Sequence, residues 1–462
     1  MTVFSPDQLA LWCRGRWTAP PAGPISGFTL DTRGLRPGQL FVALKSERRD
    51  GHDFLGAAAA GGAAGALVGR TVPEVALPQL VVADPQEAFQ TIAAQHRRTF
   101  AGPVIGISGS AGKTSTKDLV AVLLGGAPGV LATEGNLNNH LGVPLTLTRL
   151  DPAVHRFAVV EAGISQPGEM KRLAAMIQPD LAIITLVAPA HLEELGDLEA
   201  VGREKADLPA VVGPAGIAMF PRHCEQFGAF RDLAVRRLVV EAAAVMRPAP
   251  PPKDRVFFAL AQRGDTTVLA IAYGAPQPLH FALRRVSAGM AQNAVLAICA
   301  ALWLGVPAAV IQERLGAWQP ARWRGELRRK DGRLVYVDCY NANPASMADA
   351  LANFHALVPS GQVRAYVLGC MEELGPRAAE YHRELGRTLP LRPNDRLFIV
   401  GDQATALREG LLENGATAGQ IVIAAEAAAI RPMLTGFPGA VFVKGSRRHH
   451  LEQALDLEGA AC

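Results

Sequence analysis

A glycine-rich turn between an apolar run and a helical segment constrains this chain more than any other stretch. Residues 104–107 predict a buried strand, the turn follows at 109–112, and a helix is expected from about Lys113. That order aims backbone N–H groups and a helix N-terminus at one point, which suits a phosphate. The spacing over 109–114 is G-x-x-G-K-T and lacks the first glycine of the common G-x-x-x-x-G-K-[ST] loop, because Ile107 stands there. An ordinary strand-to-helix turn is the alternative.

The same loop carries groups that a nucleoside triphosphate and its magnesium ion require. The lysine after the last glycine adds a charge for the outer phosphates, and the next threonine adds a hydroxyl for the ion. Glu161, after the apolar run 157–160, is the best-placed carboxylate for a second metal ligand. A solvated glutamate at a strand end is the alternative for that residue. The predicted phosphate site comprises Gly109, Ser110, Ala111, Gly112, Lys113, Thr114 and Ser115.

Length and composition set the class of protein. The 462 residues exceed what one core supports, so two to three domains are expected. The hydrophobic fraction of 49% and the charged fraction of 19% are typical of a soluble globular protein, and a net charge of +4 is too small to indicate nucleic acid. Without a signal peptide or a long apolar run, we expect a cytoplasmic protein with no membrane span. The six cysteines form no C-x-x-C pair, which argues against a zinc site or a disulfide framework.

The alternation of apolar runs and helical segments predicts an α/β fold of three domains, called here the first, second and third units. Residues 1–101 predict a small mixed α/β unit, 102–320 a mostly parallel sheet of the P-loop type, and 321–462 a Rossmann-like doubly wound sheet without G-x-G-x-x-G. Antiparallel strands are predicted within 255–273, and an exposed proline-rich loop over 247–253. The principal predicted strands cover 40–44, 65–68, 104–107, 157–160, 181–186, 334–337, 363–368, 396–400, 421–424 and 440–443, and a long helix covers 288–304.

Polar residues follow several of these strands, at the end where open α/β sheets bind their ligands. The polar stretch 338–344 is favoured as a binding loop, and the cationic turn 444–447 is either an anion site or a charged loop. For three other features the residues by themselves favour an ordinary interpretation. His191 reads as a hydrogen-bonded turn residue, Lys205 as an exposed helical lysine, and 31–33 as a solvated turn.

Set together, these stretches resemble the Mur ligase family, the ATP-dependent enzymes that form amide bonds in peptidoglycan precursors. The resemblance covers nearly the whole chain. D-T-R and D-G-H carry it in the first unit, the glycine-rich loop, G-N-L-N-N, E-A-G and A-P-A-H in the second, and K-G-S in the third. These motifs occupy residues 31–33, 50–52, 109–114, 135–139, 161–163, 188–191 and 444–446.

Two further motifs are similar to the branch of this family that adds D-alanyl-D-alanine to UDP-N-acetylmuramoyl-tripeptide. They are Y-N-A-N-P at 340–344, with Ser346 and Met347, and M-E-E-L-G at 371–375, followed by His382. The branch that adds the third residue has an Ala-His pair and an Asp-Asn-Pro-Arg loop, which this chain lacks. Folylpolyglutamate synthetases share the ATPase plan but lack the first unit. The resemblance implies an ATP- and Mg²⁺-dependent acid–D-amino-acid ligase in the cytoplasm, and we expect a monomer.

The resemblance also implies roles for individual residues of the second unit. Lys113 and the loop amides would hold the phosphates, Thr114 and Glu161 one magnesium ion, and His191 a second. Lys205 matches a lysine that relatives carry as a carbamate, which turns a cation into a carboxylate-like metal ligand. ATP would phosphorylate the substrate carboxylate, the dipeptide amine would attack the acyl phosphate, and closure of the third unit would exclude water.

The remaining implied roles concern the nucleotide and the two substrates. At the nucleotide, Asn136 and Asn293 would contact adenine, Arg324 the phosphates, and Asp338 the junction between units. Arg324 joins Lys113, Lys205 and His191 as an implied catalytic residue. The implied contacts to the UDP-sugar and amino substrates are Asp31, Thr32, Arg33, Asn341, Asn343 and Lys444.

Four sites depart from the family's pattern, and each loses a polar group. Leu186 stands in place of an asparagine, and S-A-G-M at 287–290 replaces the usual Gly-x-His-Asn. Val337 replaces one aspartate of a pair, and Cys370 replaces the aspartate of Gly-Asp-Met. We therefore expect an active ligase with an altered adenine pocket. A nucleotide-binding paralogue with reduced or regulatory activity, or a family member that adds another amino acid, are the alternatives.

Overall fold

Three β-sheets, each packed against helices, follow one another along the chain. The structure is a computed structural model that describes residues 2–455 except 245, 247–250, 276, 331 and 332. It confirms the predicted α/β fold class with mostly parallel sheets. The boundaries of the three units stay predictions. Part of the predicted loop over 247–253 lies outside the described residues.

The first sheet is small. Within residues 2–101 the α-helices and strands are α1 Pro6–Cys13, β1 Arg16–Trp17, β2 Phe28–Thr29, β3 Leu40–Val42, α2 Leu55–Ala60, β4 Gly65–Val68, β5 Gln79–Val81 and α3 Pro85–Arg98. The sheet order is β1-β5-β4-β3-β2, and only β1 runs antiparallel to its neighbour. Because strand side chains alternate between faces, Leu40 packs in one apolar cluster with Phe89 of α3, and Phe41 in another with Leu55 of α2.

The second sheet is the largest. Its elements, as far as the chain is described, are β6 Val104–Ser108, α4 Lys113–Leu123, β7 Val130–Ala132, α5 Gly142–Leu147, β8 Phe157–Glu161, α6 Glu169–Ile177, β9 Leu181–Ile184, α7 Leu192–Leu195, α8 Leu198–Ala210, β10 Ile217–Pro221, α9 Gly228–Arg231, β11 Arg237–Ala242, β12 Arg255–Arg263, β13 Thr266–Ala272, β14 Leu279–Arg284, α10 Ala288–Trp303 and α11 Ala308–Ala317. The order is β14-β13-β12-β11-β10-β9-β6-β8-β7. The pairs of β13 with β12 and β14 are antiparallel, which confirms the antiparallel prediction, and the other pairs are parallel.

Both faces of the second sheet are covered, which fixes the strand that carries the glycine-rich loop. Ile105 of β6 lies in an apolar cluster with Leu119 of α4 and Val295 of α10. Its neighbour Val104 lies in the opposite cluster with Leu208 of α8. Every residue of β6 is buried, as a central parallel strand requires.

The position of β6 between β8 and β9 decides where the site can form. Ile107 is the register partner of Glu161 at the end of β8, and Ser108 is that of Ile184 at the end of β9. The carboxyl ends of three parallel strands therefore meet at one point. The glycine-rich loop emerges in the middle of this edge, beside Glu161 and the turn that leads to His191.

The third sheet is also mostly parallel. Its described elements are β15 Glu326–Lys330, β16 Arg333–Asp338, α12 Pro344–Leu357, β17 Arg364–Gly369, α13 Ala378–Thr388, β18 Arg396–Val400, α14 Ala404–Glu413, β19 Ile421–Ala424, α15 Arg431–Leu434 and β20 Ala440–Lys444. The order is β15-β16-β20-β17-β18-β19, with only β15 antiparallel to its neighbour. Asp338 and Lys444 end adjacent strands and are register partners. Short 3₁₀ helices occur at Thr32–Gly34, Gly51–Phe54, Arg222–Gln226, Gly375–Arg377, Ala418–Gln420, Ala427–Ile430, Arg447–His449 and Leu451–Leu455.

Most predicted elements lie within a residue or two of those observed, but two strands are shorter. The strand predicted over 40–44 ends at Val42. The strand predicted over 181–186 ends at Ile184, because the next two residues turn to the glycine-rich loop. There Thr185 Oγ1 donates to Ala111 O at 2.5 Å, and Leu186 O accepts from Ser110 N at 2.8 Å. None of the described helices is long and apolar enough to span a bilayer.

Candidate functional site

A cleft of about 370 Å³ lies between the second and third units. Its walls are the carboxyl edge of the second sheet and the polar loop after β16. The predicted residues that line it are Ser110, Ala111, Gly112, Lys113, Thr114, Ser115, Asn136, Glu161, Asn293, Arg324, Asp338, Asn341, Asn343 and Lys444. The structure thus brings together most of the residues predicted for the nucleotide and the amino substrate, which are up to 334 positions apart (Ser110 to Lys444).

The glycine-rich loop has the backbone that an anion site needs. Gly109 and Gly112 have φ values of +152° and +79°, which glycine adopts without strain. A Cβ at Gly112 would collide with the amide of Asn293 on α10. Because Gly112 is the N-cap of α4 and offers no side-chain acceptor, the first N–H groups of the helix are open to an anion. The strand, turn and helix of the phosphate-loop prediction are all present.

Lys113 places its ammonium group at the base of this loop. Its Nζ donates to Gly109 O at 2.8 Å. Burial lowers the pKa of Lys113, and the nearby carboxylate of Glu161 opposes that shift. A lysine in this place can exchange its bond to a carbonyl oxygen for one to a phosphate oxygen, which carries full charge.

Glu161 and Thr114 form a pair of oxygen ligands beside the loop. Thr114 Oγ1 donates to Glu161 Oε1 at 3.3 Å, and Asn138 Nδ2 donates to the same oxygen at 2.7 Å. Glu161 is 1% exposed, so the solvated alternative is wrong. Its Oε2 is buried and has no hydrogen-bond partner among the described residues. A buried carboxylate oxygen without a partner is costly, and a cation would satisfy it.

These two residues fit magnesium, which binds to few protein groups. The described residues contain no group of three or more His, Cys, Asp or Glu side chains that could hold a metal ion. Magnesium commonly takes one or two carboxylates and completes its shell with phosphate oxygens and water. The donor set of Thr114 and Glu161 therefore suits an ion that arrives with a nucleotide.

His191 and Lys205 do not line the cleft, although the charge of Lys113 acts on Lys205. His191 has a φ of +53°, and its Nδ1 is 2.5 Å from Glu373 Oε2 of the third unit. Lys205 is on α8 and only 1% exposed, so its interpretation as an exposed helical lysine is wrong. Burial and the positive charge of Lys113 hold the pKa of Lys205 well below its usual value. A lowered pKa increases the fraction of the neutral amine, which is the form that reacts with carbon dioxide.

Glu373 is a site residue that the sequence did not reveal. It lies in M-E-E-L-G, between β17 and α13, and has a φ of +62°. Hydrogen bonding to His191 lowers the pKa of Glu373, and the charge of Lys113 contributes in the same direction. The motif was recognisable, but its approach to His191 depends on how the second and third units pack.

The predicted substrate residues of the third unit are engaged within the protein. Lys444 is 1% exposed, and its Nζ lies 2.6 Å from Asp338 Oδ2 and donates to Asn341 O at 3.2 Å. The turn 444–447 therefore begins with a buried ion pair. Asn341 itself is exposed at the cleft.

The motif D-T-R of the first unit lies apart from this cleft. Asp31 caps the 3₁₀ helix Thr32–Gly34 by accepting from Arg33 N at 2.9 Å. Arg33 pairs with Asp31 at 2.6 Å, and the side chain of Arg33 is 89% exposed. This pairing lowers the pKa of Asp31 to about 2. The turn is solvated, as the residues alone indicated, and its role in binding a sugar nucleotide stays a prediction.

The four departures fall into two places. Leu186 and Met290 line the cleft, where they replace polar groups with apolar ones. Val337 and Cys370 are buried in the third unit. Burial raises the pKa of Cys370 to about 11, so its thiol is protonated and inert. The altered lining at Leu186 and Met290 is compatible with the prediction of a changed adenine pocket.

Two family models match the chain. The Mur ligase middle domain matches residues 107–301, and the domain described as Mur ligase, glutamate ligase domain matches residues 323–447. Together they cover the glycine-rich loop, Glu161, His191 and Lys205 in the second unit and the polar loop after β16 in the third.

Curated relatives match over most of their length. The chain is 32% identical over 388 residues to the UDP-N-acetylmuramoyl-tripeptide–D-alanyl-D-alanine ligase of Escherichia coli, with 83% of each chain covered. It is 30% identical to the ligase of the same name from Bacillus subtilis, over 84% of this chain and 83% of that one.

Solved structures agree over nearly the whole chain. A crystal structure of MurF from Acinetobacter baumannii superposes with a TM-score of 0.86 and 29% identity, over 99% of this chain and 98% of that one. The MurF ligase of Thermotoga maritima, solved in complex with ADP, has a TM-score of 0.79 at 24% identity, over 93% of this chain and 96% of that one, and shows the same fold.

Proposed function

This chain belongs to the Mur ligase family, and we propose that it joins D-alanyl-D-alanine to UDP-N-acetylmuramoyl-tripeptide with ATP. The observation that carries the proposal is the similarity to a ligase of that activity over 83% of the chain. The cleft supports it, because it combines a phosphate loop with polar residues of a separate unit. The reaction would supply peptidoglycan precursors in the cytoplasm, and we infer a monomer.

ATP is held at the carboxyl edge of the second sheet. The amides of Gly109, Ala111, Gly112 and Ser115 and the N-terminus of α4 bind phosphate oxygens, while the amide of Ser110 holds the loop to Leu186 O. Lys113 exchanges its bond to Gly109 O for one to the outer phosphates. Asn136 and Asn293 contact the adenine, beside the apolar Leu186 and Met290. Asp338 meets the nucleotide from the third unit.

Thr114 and Glu161 would hold one magnesium ion, and His191 together with Lys205 as a carbamate would hold a second. The unpartnered Oε2 of Glu161 and the lowered pKa of Lys205 support this assignment. When bound, the ions neutralise charge on the transferred phosphoryl group.

The first chemical step transfers the γ-phosphoryl group to the terminal carboxylate of the tripeptide and leaves ADP. Positioning and charge neutralisation dominate such a step, and Lys113 of the second unit and Arg324 of the third, which both line the cleft, supply positive charge. Arg324 Nη2 already donates to Thr114 Oγ1 at 3.3 Å, next to the phosphate loop.

The second step forms the amide. The dipeptide amine attacks the acyl carbon, the C–O bond to phosphate breaks, and inorganic phosphate leaves while the amine loses its proton. Asn341, Asn343 and Lys444 place the dipeptide from the third unit, and Asp31, Thr32 and Arg33 of the first unit hold the UDP-sugar. Closure between the units excludes water, which would otherwise hydrolyse the acyl phosphate.

A phosphate-release assay with both substrates tests the proposal. We expect phosphate release only when ATP, Mg²⁺, UDP-muramoyl-tripeptide and D-alanyl-D-alanine are all present. Mass spectrometry should then show the UDP-muramoyl-pentapeptide as the product. Running the assay with lysine and with diaminopimelate tripeptides identifies the third residue. ATP binding without amide product under every magnesium concentration and pH would instead indicate a non-catalytic paralogue, in which Lys113→Ala abolishes nucleotide binding.

A further inference from the structure

Arg324 approaches the phosphate loop from a four-residue turn that links the second and third units. The turn spans 321–324 and is closed by a bond of 3.1 Å from Arg324 N to Ala321 O. Its third position is Trp323, with a φ of +61°. Glycine is the usual residue at such a position, and a bulky side chain there is strained. Strain of this kind persists only where the surrounding structure imposes it.

The surroundings of Trp323 supply that restraint. Its ring lies between two guanidinium groups, with Arg322 Cζ 4.5 Å and Arg447 Cζ 4.3 Å from the ring centroid. Both distances are within the range of cation–π attraction. Arg447 is fixed in turn by bonds of 2.7 and 2.8 Å to the two carboxylate oxygens of Glu452. The strained turn is thus attached to the last strand and following 3₁₀ helices of the third unit.

The ring of Trp323 is held by packing and not by a hydrogen bond of its indole nitrogen. Trp323 packs against the apolar cluster that contains Val335 of β16 and Val443 of β20. Its Nε1 is buried and has no hydrogen-bond partner in the part of the chain that the structure describes. A ring of similar shape without the N–H would therefore make the same contacts.

Arg324, the residue after Trp323, connects this turn to the phosphate site. Arg324 stacks over the ring of Tyr340, with its Cζ 3.8 Å from the ring centroid, and reaches Thr114 Oγ1 at 3.3 Å. The turn that Trp323 anchors and the loop that holds Tyr340 both belong to the third unit. The third unit therefore fixes the direction of the Arg324 side chain, which extends across the cleft to the second unit.

We propose that Trp323 is a positioning residue, which fixes the turn 321–324 on the third unit so that Arg324 reaches the phosphate site, with Arg447 as its clamp. The inference rests on the proposed function, because it takes the phosphate site to hold ATP. Trp323 itself does not line the cleft.

A double-mutant cycle tests the proposal. Trp323→Gly removes the ring and also the backbone strain, because glycine adopts a φ of +61° freely. Calorimetry would give the affinity for a non-hydrolysable ATP analogue with Mg²⁺ for the wild type, Trp323→Gly, Arg324→Gln and the double variant. We expect each single variant to bind about tenfold more weakly, since a charge-assisted bond is lost. The double variant should bind no more weakly than Arg324→Gln.

Trp323→Phe is the matched control, since it keeps a ring between the two arginines and loses only the unpartnered N–H. We expect its analogue affinity and its turnover to stay within about twofold of the wild type. Thermal unfolding midpoints of all variants identify any loss of fold.

Two outcomes would overturn the proposal. One is an analogue affinity of Trp323→Gly within about twofold of the wild type. The other is an equal loss of affinity when Trp323→Gly is introduced into the wild type and into Arg324→Gln, which would indicate a purely structural role. A wild-type chain that binds the analogue but releases no phosphate with both substrates contradicts the proposed function, whereas the binding cycle still decides this inference.

Discussion

Asn343 Nδ2 donates a hydrogen bond of 3.0 Å to the carbonyl oxygen of Ser110, and so ties the third unit to the glycine-rich loop of the second. The same side chain caps α12, because Asn343 Oδ1 accepts from Ser346 N at 2.9 Å. One buried amide therefore serves both the helix that follows the Y-N-A-N-P motif and the phosphate loop. Its two functions use different atoms, and substitution can separate them.

Asn343→Asp should keep the cap and lose the link. An aspartate is as good an N-cap as asparagine but cannot donate to Ser110 O, and its second carboxylate oxygen would face that carbonyl oxygen in a buried position, so we expect a loss of about 1–3 kcal/mol at neutral pH. Asn343→Ala should cost about 1 kcal/mol through the lost cap. Turnover should fall about tenfold in both variants, because both lose the bond to the loop. Urea unfolding and the phosphate-release assay measure the two effects, and full turnover of Asn343→Asp would refute a role for the link.

Glu161→Gln should remove the response to magnesium. The glutamine can still accept from Asn138 through its carbonyl oxygen, but it offers the ion no charge. We expect kcat/KM to fall by about 10² or more, and the gain in ATP-analogue affinity on adding Mg²⁺ to disappear. Calorimetry with and without a chelator measures that gain.

Glu134→Gln is the control for this change. Glu134 is exposed, pairs with Arg149 at 2.6 Å and does not line the cleft. It should leave both quantities unchanged. A Glu161→Gln protein that retained its magnesium-dependent gain would show that the ion binds elsewhere.

The part of the site that sequence predicts is the part that local order determines. The glycine-rich motif is six consecutive residues, 109–114, that lead from the end of β6 into the first turn of α4, and Glu161 ends a strand paired directly with β6. Both follow from the rule that parallel strands carry ligands at their carboxyl ends. Neither needs knowledge of how the units pack.

The contacts that sequence could not reveal join residues far apart. Glu373 meets His191 across two units, and Arg447 clamps Trp323 from more than a hundred residues away. The burial of Lys205 is of the same kind, because a lysine within an ordinary helical pattern gives no sign that the helix packs against the sheet. Charged residues are almost never fully buried without a partner, so the general expectation favours exposure. Tertiary packing reversed it here.

His355 should make the third unit less stable in mild acid. Burial, with the nearby positive charge of Arg364, lowers the pKa of His355 to about 4. In the unfolded chain its pKa is about 6.5, so between these values only the unfolded state binds the proton, and stability is lost as the pH falls from about 6.5 to about 4. With allowance for partial exposure, we expect a loss of about 1–2 kcal/mol over that window.

Urea unfolding of the wild type and His355→Gln at several pH values isolates this contribution. The glutamine can still bond the hydroxyl of Tyr366, which lies 2.8 Å from His355 Nε2, and does not titrate. The stability advantage of the wild type should therefore shrink, or reverse, as the pH falls. His280→Gln, on the exposed side of β14, should leave the pH dependence as it is. A constant difference between wild type and His355→Gln across the window would contradict the assignment.

Lys205 should make activity depend on bicarbonate. Burial and the charge of Lys113 lower the pKa of its ammonium group, which increases the fraction of neutral amine that can add carbon dioxide. The carbamate reverses the sign of the charge, and this relieves the repulsion from Lys113 and leaves an anion behind the phosphate loop. Turnover of carbon-dioxide-depleted enzyme should therefore rise when bicarbonate is added.

Lys205→Ala should lose about 10² or more in kcat, as expected for a lost metal ligand, and a short carboxylate such as acetate should restore part of it. Lys171→Ala, on α6, should respond to neither addition. If depleted enzyme shows no bicarbonate response and Lys205→Ala keeps full activity, the buried ammonium has no part in catalysis and its burial is a matter of packing alone.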